Sequence, residues 1–343
     1  MRRCRRAPDG SADNHAPQTS GRGGGCAVLW HTGERASPDG TAVHSGTTDR
    51  QNRQPRRIGA HSMTPTLVRH HRHTESSALA DGATRARDWA EIQERMLAPL
   101  YEAVYTRLEV GPATRMLSLG CGSGLALLMA VGRGASVTGV DTDPDRLALA
   151  RTRLLPAPED HGTPTAAPLL TESVAEAADG GPHHLITAFT PIGCEAGDGE
   201  ELVRALETAV PSADRRATVV LTGWGPPERC ATESVLRVAG RLADDGRGPG
   251  GGWRGPRRDD LEDVAFRAGL RPDGSGRVAC PFGYADMDSA VRGLLSTRLF
   301  EAAVRATDRW QVEKELAEAL HPHRRPDGTV WMSNVFRYLV CTT

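Results

Sequence analysis

Three glycines and one acid carry most of the chemistry legible in this chain. Gly120, Gly122 and Gly124 alternate through Leu119-Gly120-Cys121-Gly122-Ser123-Gly124-Leu125, directly after a short apolar run. Asp141 closes a second apolar run 17 residues past Gly124. Glycine permits a tight turn and lets backbone N–H groups approach a ligand at a helix N-terminus. An acid at the end of the next strand accepts hydrogen bonds from ribose hydroxyls. Together they describe a site for a small nucleoside-bearing cofactor. The dinucleotide fingerprint sets its glycines at the first, third and sixth positions. Here the sixth position is Leu125, and the third glycine falls one residue early.

The elements that must position this turn follow from apolar spacing. Trp89, Ile92, Met96, Leu97, Leu100, Val104 and Leu108 recur at helical intervals, and Gly111-Pro112 stops that helix. Strands are expected at 116–119, 136–140, 168–171, 184–189 and 217–222, with helices at 125–131, from Asp143-Pro144 onward, up to Ala178, at 200–210 and at 232–242. Such alternation predicts a parallel sheet with helices on both faces. A helix at 261–269 leads to a strand at 276–281. A helical region over 288–320 and a long final strand over 329–340 complete the chain. That strand should pair antiparallel with its predecessor. The helical insert, about 286–322, should cover one end of the sheet, as packing or as a lid over substrate.

Composition narrows the class. The net charge of −1 is unevenly spread: residues 1–62 hold ten arginines against five acids, about +5, and the remainder is about −6. A mildly acidic folded part argues against nucleic acid as partner. Lys314 is the only lysine, a coding bias toward arginine more than a phosphate chemistry. Seven cysteines form no CxxC pair, which suits reduced thiols in the cytoplasm. No apolar run reaches bilayer length, and the arginine-rich start lacks the apolar core of a secretory signal.

Residues 1–84 read as a basic tail without apolar periodicity, unable to bury enough surface to fold. Met63 offers a second start, and an acidic partner for the tail is the rival reading. Within it, Arg69-His70-His71-Arg72-His73 lacks a nearby acid or cysteine, so no metal site is expected. The domain proper should span 85–343.

Leu117-Ser118-Leu119-Gly120-Cys121-Gly122-Ser123-Gly124 and Val137-Thr138-Gly139-Val140-Asp141 resemble the class I S-adenosylmethionine-dependent methyltransferases, within them the UbiE-like or type 11 small-molecule branch. Trp89-Ala90-Glu91-Ile92-Gln93, Thr222-Gly223-Trp224-Gly225 and Asn334-Val335-Phe336-Arg337-Tyr338 add to the likeness, which covers about 86–343. The resemblance implies a Rossmann-like α/β fold, with a seven-stranded, mostly parallel sheet and an antiparallel last strand. It implies that Gly120, Cys121, Gly122, Ser123 and Gly124 pass under the methionine and ribose of S-adenosyl-L-methionine. Asp141 would hold the ribose hydroxyls, Thr142 would lie beside the adenine, and Glu172 or its neighbour Thr171 would face the adenine amino group. Phe189 and Thr190 would line the methionine side and the start of a small-molecule pocket, with Trp89 closing the site. The chain departs from the family at Ser118, where an acid is usual, in the proline-rich segment before strand three, and at His184.

Methyl transfer from a sulfonium is an in-line displacement, so alignment does most of the work. A general base helps only when the acceptor loses a proton. The Asn/Asp-Pro-Pro-Tyr/Phe signature of amino-methylating nucleic-acid enzymes is absent: strand four ends Phe189-Thr190-Pro191-Ile192. His321, His323 and Tyr284 are candidate bases, none assigned. Cys121 reads as a small filler of the turn, and Cys194 lies near the expected site. The alternatives are a catalytically degenerate cofactor-binding protein and a nicotinamide-dependent oxidoreductase, the latter disfavoured by Leu125.

Overall fold

Short β-branched and leucine-rich runs separated by amphipathic helices build a seven-stranded sheet. The computed structural model describes residues 75–154, 168–243 and 253–343, all within one compact unit, Arg69–Thr343. The basic tail to residue 74, with Met63 and the Arg69–His73 tract, lies outside the described residues, as does much of the proline-rich loop. In chain order the elements are α1 (Glu75–Asp88), α2 (Ala98–Arg107), β1 (Arg115–Leu119), α3 (Leu125–Val131), β2 (Ser136–Val140), α4 (Pro144–Leu154), β3 (Leu169–Thr171), α5 (Val174–Asp179), β4 (Leu185–Ile192) and α6 (Asp198–Ala209). There follow β5 (Thr218–Trp224), α7 (Glu233–Ala243), α8 (Asp260–Arg267), β6 (Arg271–Ala279), β7 (Phe282–Tyr284), α9 (Met287–Leu295), α10 (Glu301–Ala306), α11 (Arg309–Leu320), β8 (Val330–Met332) and β9 (Val335–Thr342).

The sheet order is β3-β2-β1-β4-β5-β9-β6. The first five strands run parallel, and β9 runs antiparallel to both of its neighbours. This is the mostly parallel, Rossmann-like sheet expected. Side chains alternate across it. Leu117 and Leu119 of β1 pack with α5, α6 and α8 on one face. Met116 packs on the other with α2, α3, α4 and α7. Each fully buried leucine in these layers is worth roughly 1.5–3 kcal/mol of hydrophobic burial.

Four boundaries differ from the sequence expectation. Helix α1 starts at Glu75, well before Trp89, because the polar run around Gly82 hides its period. Strand β6 starts at Arg271, earlier than 276. It is the edge strand, where Pro272, Asp273 and Gly274 are tolerated, and the register shifts at Gly274. The helical region 288–320 is three helices, since Asp286 and Asp308 accept from Ser289 N–H at 2.7 Å and Gln311 N–H at 2.8 Å and start new ones. The final strand is also broken. Asn334, buried, turns its Oδ1 to the Thr232 N–H (3.1 Å), and Ser333 O accepts from Ala231. Strand β8 therefore leaves the main sheet to pair with β7.

That break explains the placement of the insert. β6 and β9 form a long antiparallel pair that continues as the β7–β8 ribbon, and residues 285–329 grow from its tip. The insert packs on α7 and on the segment following α1. No helix among the described residues is long and apolar enough to cross a membrane.

Candidate functional site

The glycine turn is built as its spacing demands. Gly120, Gly122 and Gly124 have φ of 70°, 57° and 85°, left-handed values that an L side chain rarely adopts. The space is as restrictive as the torsions. A Cβ on Gly120 would stand 2.6 Å from Thr190 Oγ1, and one on Gly122 would stand 2.8 Å from Glu94 Oε1 and 2.9 Å from Trp89 Nε1. Gly124 packs against Ala150 of α4. Cys121 N–H donates to Val140 O at 2.8 Å, which ties the turn to β2.

Asp141 sits at the carboxyl end of β2, 8% exposed. Its Oδ2 accepts from Gly122 N–H at 2.8 Å and its Oδ1 from Asp143 N–H at 2.9 Å. A carboxylate has about four lone-pair positions, so two remain for a ligand. Thr142, next to it, is exposed and accepts from Arg298 at 3.3 Å.

The other wall comes from an irregular stretch between α1 and α2. Trp89–Gln93 forms one π turn, closed by Glu94 N–H donating to Trp89 O, and Glu94–Leu97 is 3-10. In a regular α-helix residues five apart point about 140° away from each other. The wider π turn brings Trp89 and Glu94 to the same face, where both meet Gly122. Short π segments recur at functional sites for this reason.

Glu94, 2% exposed, caps α3 from outside. Helix α3 has no side-chain cap of its own, and its first N–H groups need acceptors. Glu94 Oε1 accepts from Ser123 N–H at 3.0 Å and Leu125 N–H at 3.4 Å. Its Oε2 takes the Ser123 hydroxyl and an Arg153 N–H, the latter at 2.8 Å.

Trp89, Glu94, Leu97, Tyr101, Ser118, Gly120, Cys121, Gly122, Ala126, Phe189 and Thr190 enclose a gap of about 10 Å³, the size of one water. Phe189 packs against Tyr101 with the rings tilted by 53° and centroids 4.8 Å apart. Two polar atoms in this lining have no hydrogen-bond partner, Ser118 Oγ and Trp89 Nε1. Over the Trp89 ring, 4.3 Å from its centre, lies the Arg146 guanidinium. Burial pulls the Arg146 pKa down while Asp141 and Asp143 push it up. Arg146 also donates to Ser296 O at 2.8 Å, joining α4 to the insert. Arg292–Asp88 and Arg85–Glu301 ion pairs join the insert to α1.

Of the residues singled out from sequence, Trp89, Gly120, Cys121, Gly122, Phe189 and Thr190 meet at this gap, with Ser123, Gly124 and Asp141 in contact with its floor. Glu172 does not reach it: the side chain is exposed, with no partner among the described residues. Thr171 is buried and bonded to Glu176. Tyr284 donates to Gln93 Oε1 at 2.9 Å, and burial pushes its phenol pKa up, which suits a donor and not a base. His321 and His323 stand on a turn after α11, and no contact among the described residues ties them to the glycine turn. Burial likewise raises the Cys121 and Cys194 thiols, so neither is a ready nucleophile. His184 caps the opposite end of β4, 2.8 Å from Asp214. Among the described residues no group of His, Cys, Asp and Glu is placed to hold a metal.

Sequence reasoning missed Glu94, Arg146, Arg153 and Tyr101. Glu94 falls off the apolar face at regular helical spacing, and only the π turn rotates it in. A tryptophan followed five residues later by an acid, ahead of a glycine turn, is the signal that was present.

No family model matches the chain, and no curated protein matches it. Solved structures similar to it include YcgJ from Bacillus subtilis, at 13% identity over 71% of this chain and 97% of that one, TM-score 0.44. YjhP from E. coli shows 18% identity over 75% and 98%, TM-score 0.42. Magnesium protoporphyrin IX methyltransferase from Synechocystis, with bound S-adenosylhomocysteine, shows 14% identity over 79% and 89%, TM-score 0.38. Likeness at these values carries no argument about chemistry, which rests on this chain's own residues.

Proposed function

We propose that the chain is an S-adenosylmethionine-dependent methyltransferase acting on a small molecule. The observation that carries this reading is the turn itself: three left-handed glycines, the middle one held by the acid that ends β2. The lining fits such a cofactor. Gly120 and Gly122 leave no room for a side chain, Asp141 keeps acceptor capacity for ribose, and Ser118 Oγ and Trp89 Nε1 are buried polar atoms awaiting partners. The Trp89, Tyr101 and Phe189 rings line the gap, and aromatic rings attract a cation. When bound, the cofactor supplies a methyl group activated on sulfonium.

The protein's part is to hold and align. The turn and Asp141 fix the nucleoside end, and Phe189 and Thr190, at the carboxyl end of β4, border the acceptor side. Ligands of open α/β sheets sit at this end of the strands. The gap holds about one water, and the 89–97 segment supplies one wall of it through Trp89, Glu94 and Leu97. No base is assigned, because the buried phenol and thiols are shifted away from the neutral range. The five described cysteines are free and buried, which suits the reducing cytoplasm.

Calorimetry with S-adenosylmethionine, S-adenosylhomocysteine and NAD(H) tests the reading. Saturable binding of the first two is expected. Binding of NAD(H) with no response to S-adenosylmethionine overturns it, and no saturable binding of S-adenosylhomocysteine up to millimolar concentration points to a degenerate fold.

A further inference from the structure

Glu94 is the most deeply buried carboxylate at the gap, and nothing in the turn's own sequence provides it. Strand β1 brings only a neutral hydroxyl there, Ser118, fully buried with its Oγ unpartnered. The donors around Glu94 (two backbone N–H groups, the Ser123 hydroxyl and Arg153) form a set that suits a carboxylate. The same gap is walled by the Trp89, Tyr101 and Phe189 rings. A buried carboxylate among aromatic faces is a cation-recognising arrangement. Asp141 and Asp143 add to its charge, and Arg85, Arg146 and Arg153 balance the three carboxylates, so Glu94 is the one charge that stands in the lining of the gap itself.

We propose that Glu94 sets the charge preference of this cleft, supplying a buried negative charge from the N-terminal helical segment. The cleft then favours a sulfonium over the neutral thioether that remains once the methyl has left. The inference rests on the cofactor reading above and adds a residue and a preference to it. Glu94 acts here as a positioning residue, since it also holds Ser123 and Leu125. A purely structural role and a charge role make different predictions. Both ligands carry the same ammonium and carboxylate and differ only at sulfur, so loosening the turn weakens both alike, whereas removing a charge that faces the sulfonium weakens that form more.

The test is calorimetry on the full chain with S-adenosylmethionine and S-adenosylhomocysteine, comparing wild type with Glu94→Gln. The variant should lose about tenfold more affinity for the sulfonium than for the thioether. Equal losses, or a larger loss for the thioether, overturn the proposal while leaving the cofactor reading intact. A wild-type chain that binds neither ligand removes the cofactor reading itself, a distinguishable result. Should Glu94→Gln fail to fold, Arg153→Gln carries the test, because Arg153 is partly exposed and its loss leaves the carboxylate un-neutralised. That variant should shift preference toward the sulfonium, and an unchanged or reversed preference overturns the proposal.

Discussion

The two walls of the cleft are made in opposite ways. The floor, β1–α3–β2, is local: about thirty residues in which glycine torsions, a strand-end acid and a short helix explain one another. The cover, from α1 through the 89–97 segment together with the insert, is assembled from chain ends about two hundred residues apart. Backbone torsion and buried hydrogen bonds hold the floor. The cover is packed on buried apolar side chains such as Leu294, Phe300 and Leu316, and its polar ties are mostly arginine contacts, Arg292–Asp88, Arg85–Glu301, Arg146–Ser296 and Arg298–Thr142, with Glu94 on α3. Torsional constraints do not yield gradually, whereas half-exposed ion pairs are individually weak. The floor should therefore be rigid and the cover able to open.

Gly122→Ala strikes the floor hardest. It forces an L residue to φ 57° and pushes a Cβ onto Glu94 and Trp89. Stability should fall by roughly 1–3 kcal/mol, read by denaturant unfolding, and S-adenosylhomocysteine binding should vanish. A variant as stable as wild type would erase the contrast between the two walls. Asp141→Ala removes the acceptor of two N–H groups. It should cost about 1–3 kcal/mol for each donor left buried, with at least a tenfold (order-of-magnitude) loss of affinity by calorimetry.

On the cover, Arg292→Ala should cost no more than about 1–3 kcal/mol, because Arg292 is half exposed although it leaves the buried Asp88 without its partner. Amide exchange should nonetheless quicken over 75–97 and 287–306 and stay unchanged in β1 and β2. Faster exchange throughout would mean that the walls are one cooperative unit. A titration probes the floor's far end. Burial, with Arg115 nearby, holds His183 below its ordinary 6.5. The unfolded chain then binds more protons, so stability rises with pH toward about 6.5 and drops as pH falls below it. A melting-temperature series from pH 5 to 8 should show that slope, and His183→Asn should flatten it. Glu172→Ala is the smallest change, within about ±0.5 kcal/mol and with ligand affinity close to wild type.

The same contrast explains what could be read in advance. The floor was legible because its determinants are close in sequence: glycine spacing, alternating apolar strands and Asp141 at a strand end. β9 was legible as antiparallel through its aromatic, β-branched run, but its break at Asn334 was not, since that depends on Thr232 about a hundred residues away. Glu172 stands exposed one residue past β3, and its role beside an adenine rests on the resemblance alone. Glu94 was passed over because a regular helix would point it away from Trp89. Arg146 is one arginine among several on α4, and nothing local in the sequence sets it apart. Its burial arises only once Trp89 and Ser296 close over it.

The single π turn has one more consequence, which concerns kinship. It shifts the phase of α1 relative to α2. Deleting one residue between Trp89 and Glu94 would leave this pair four apart and still together, yet would rotate all of α1 by about 100°. Arg85 and Asp88 would swing off Glu301 and Arg292. In a related chain, a one-residue gap at this point would therefore mark a differently oriented cover over an unchanged floor.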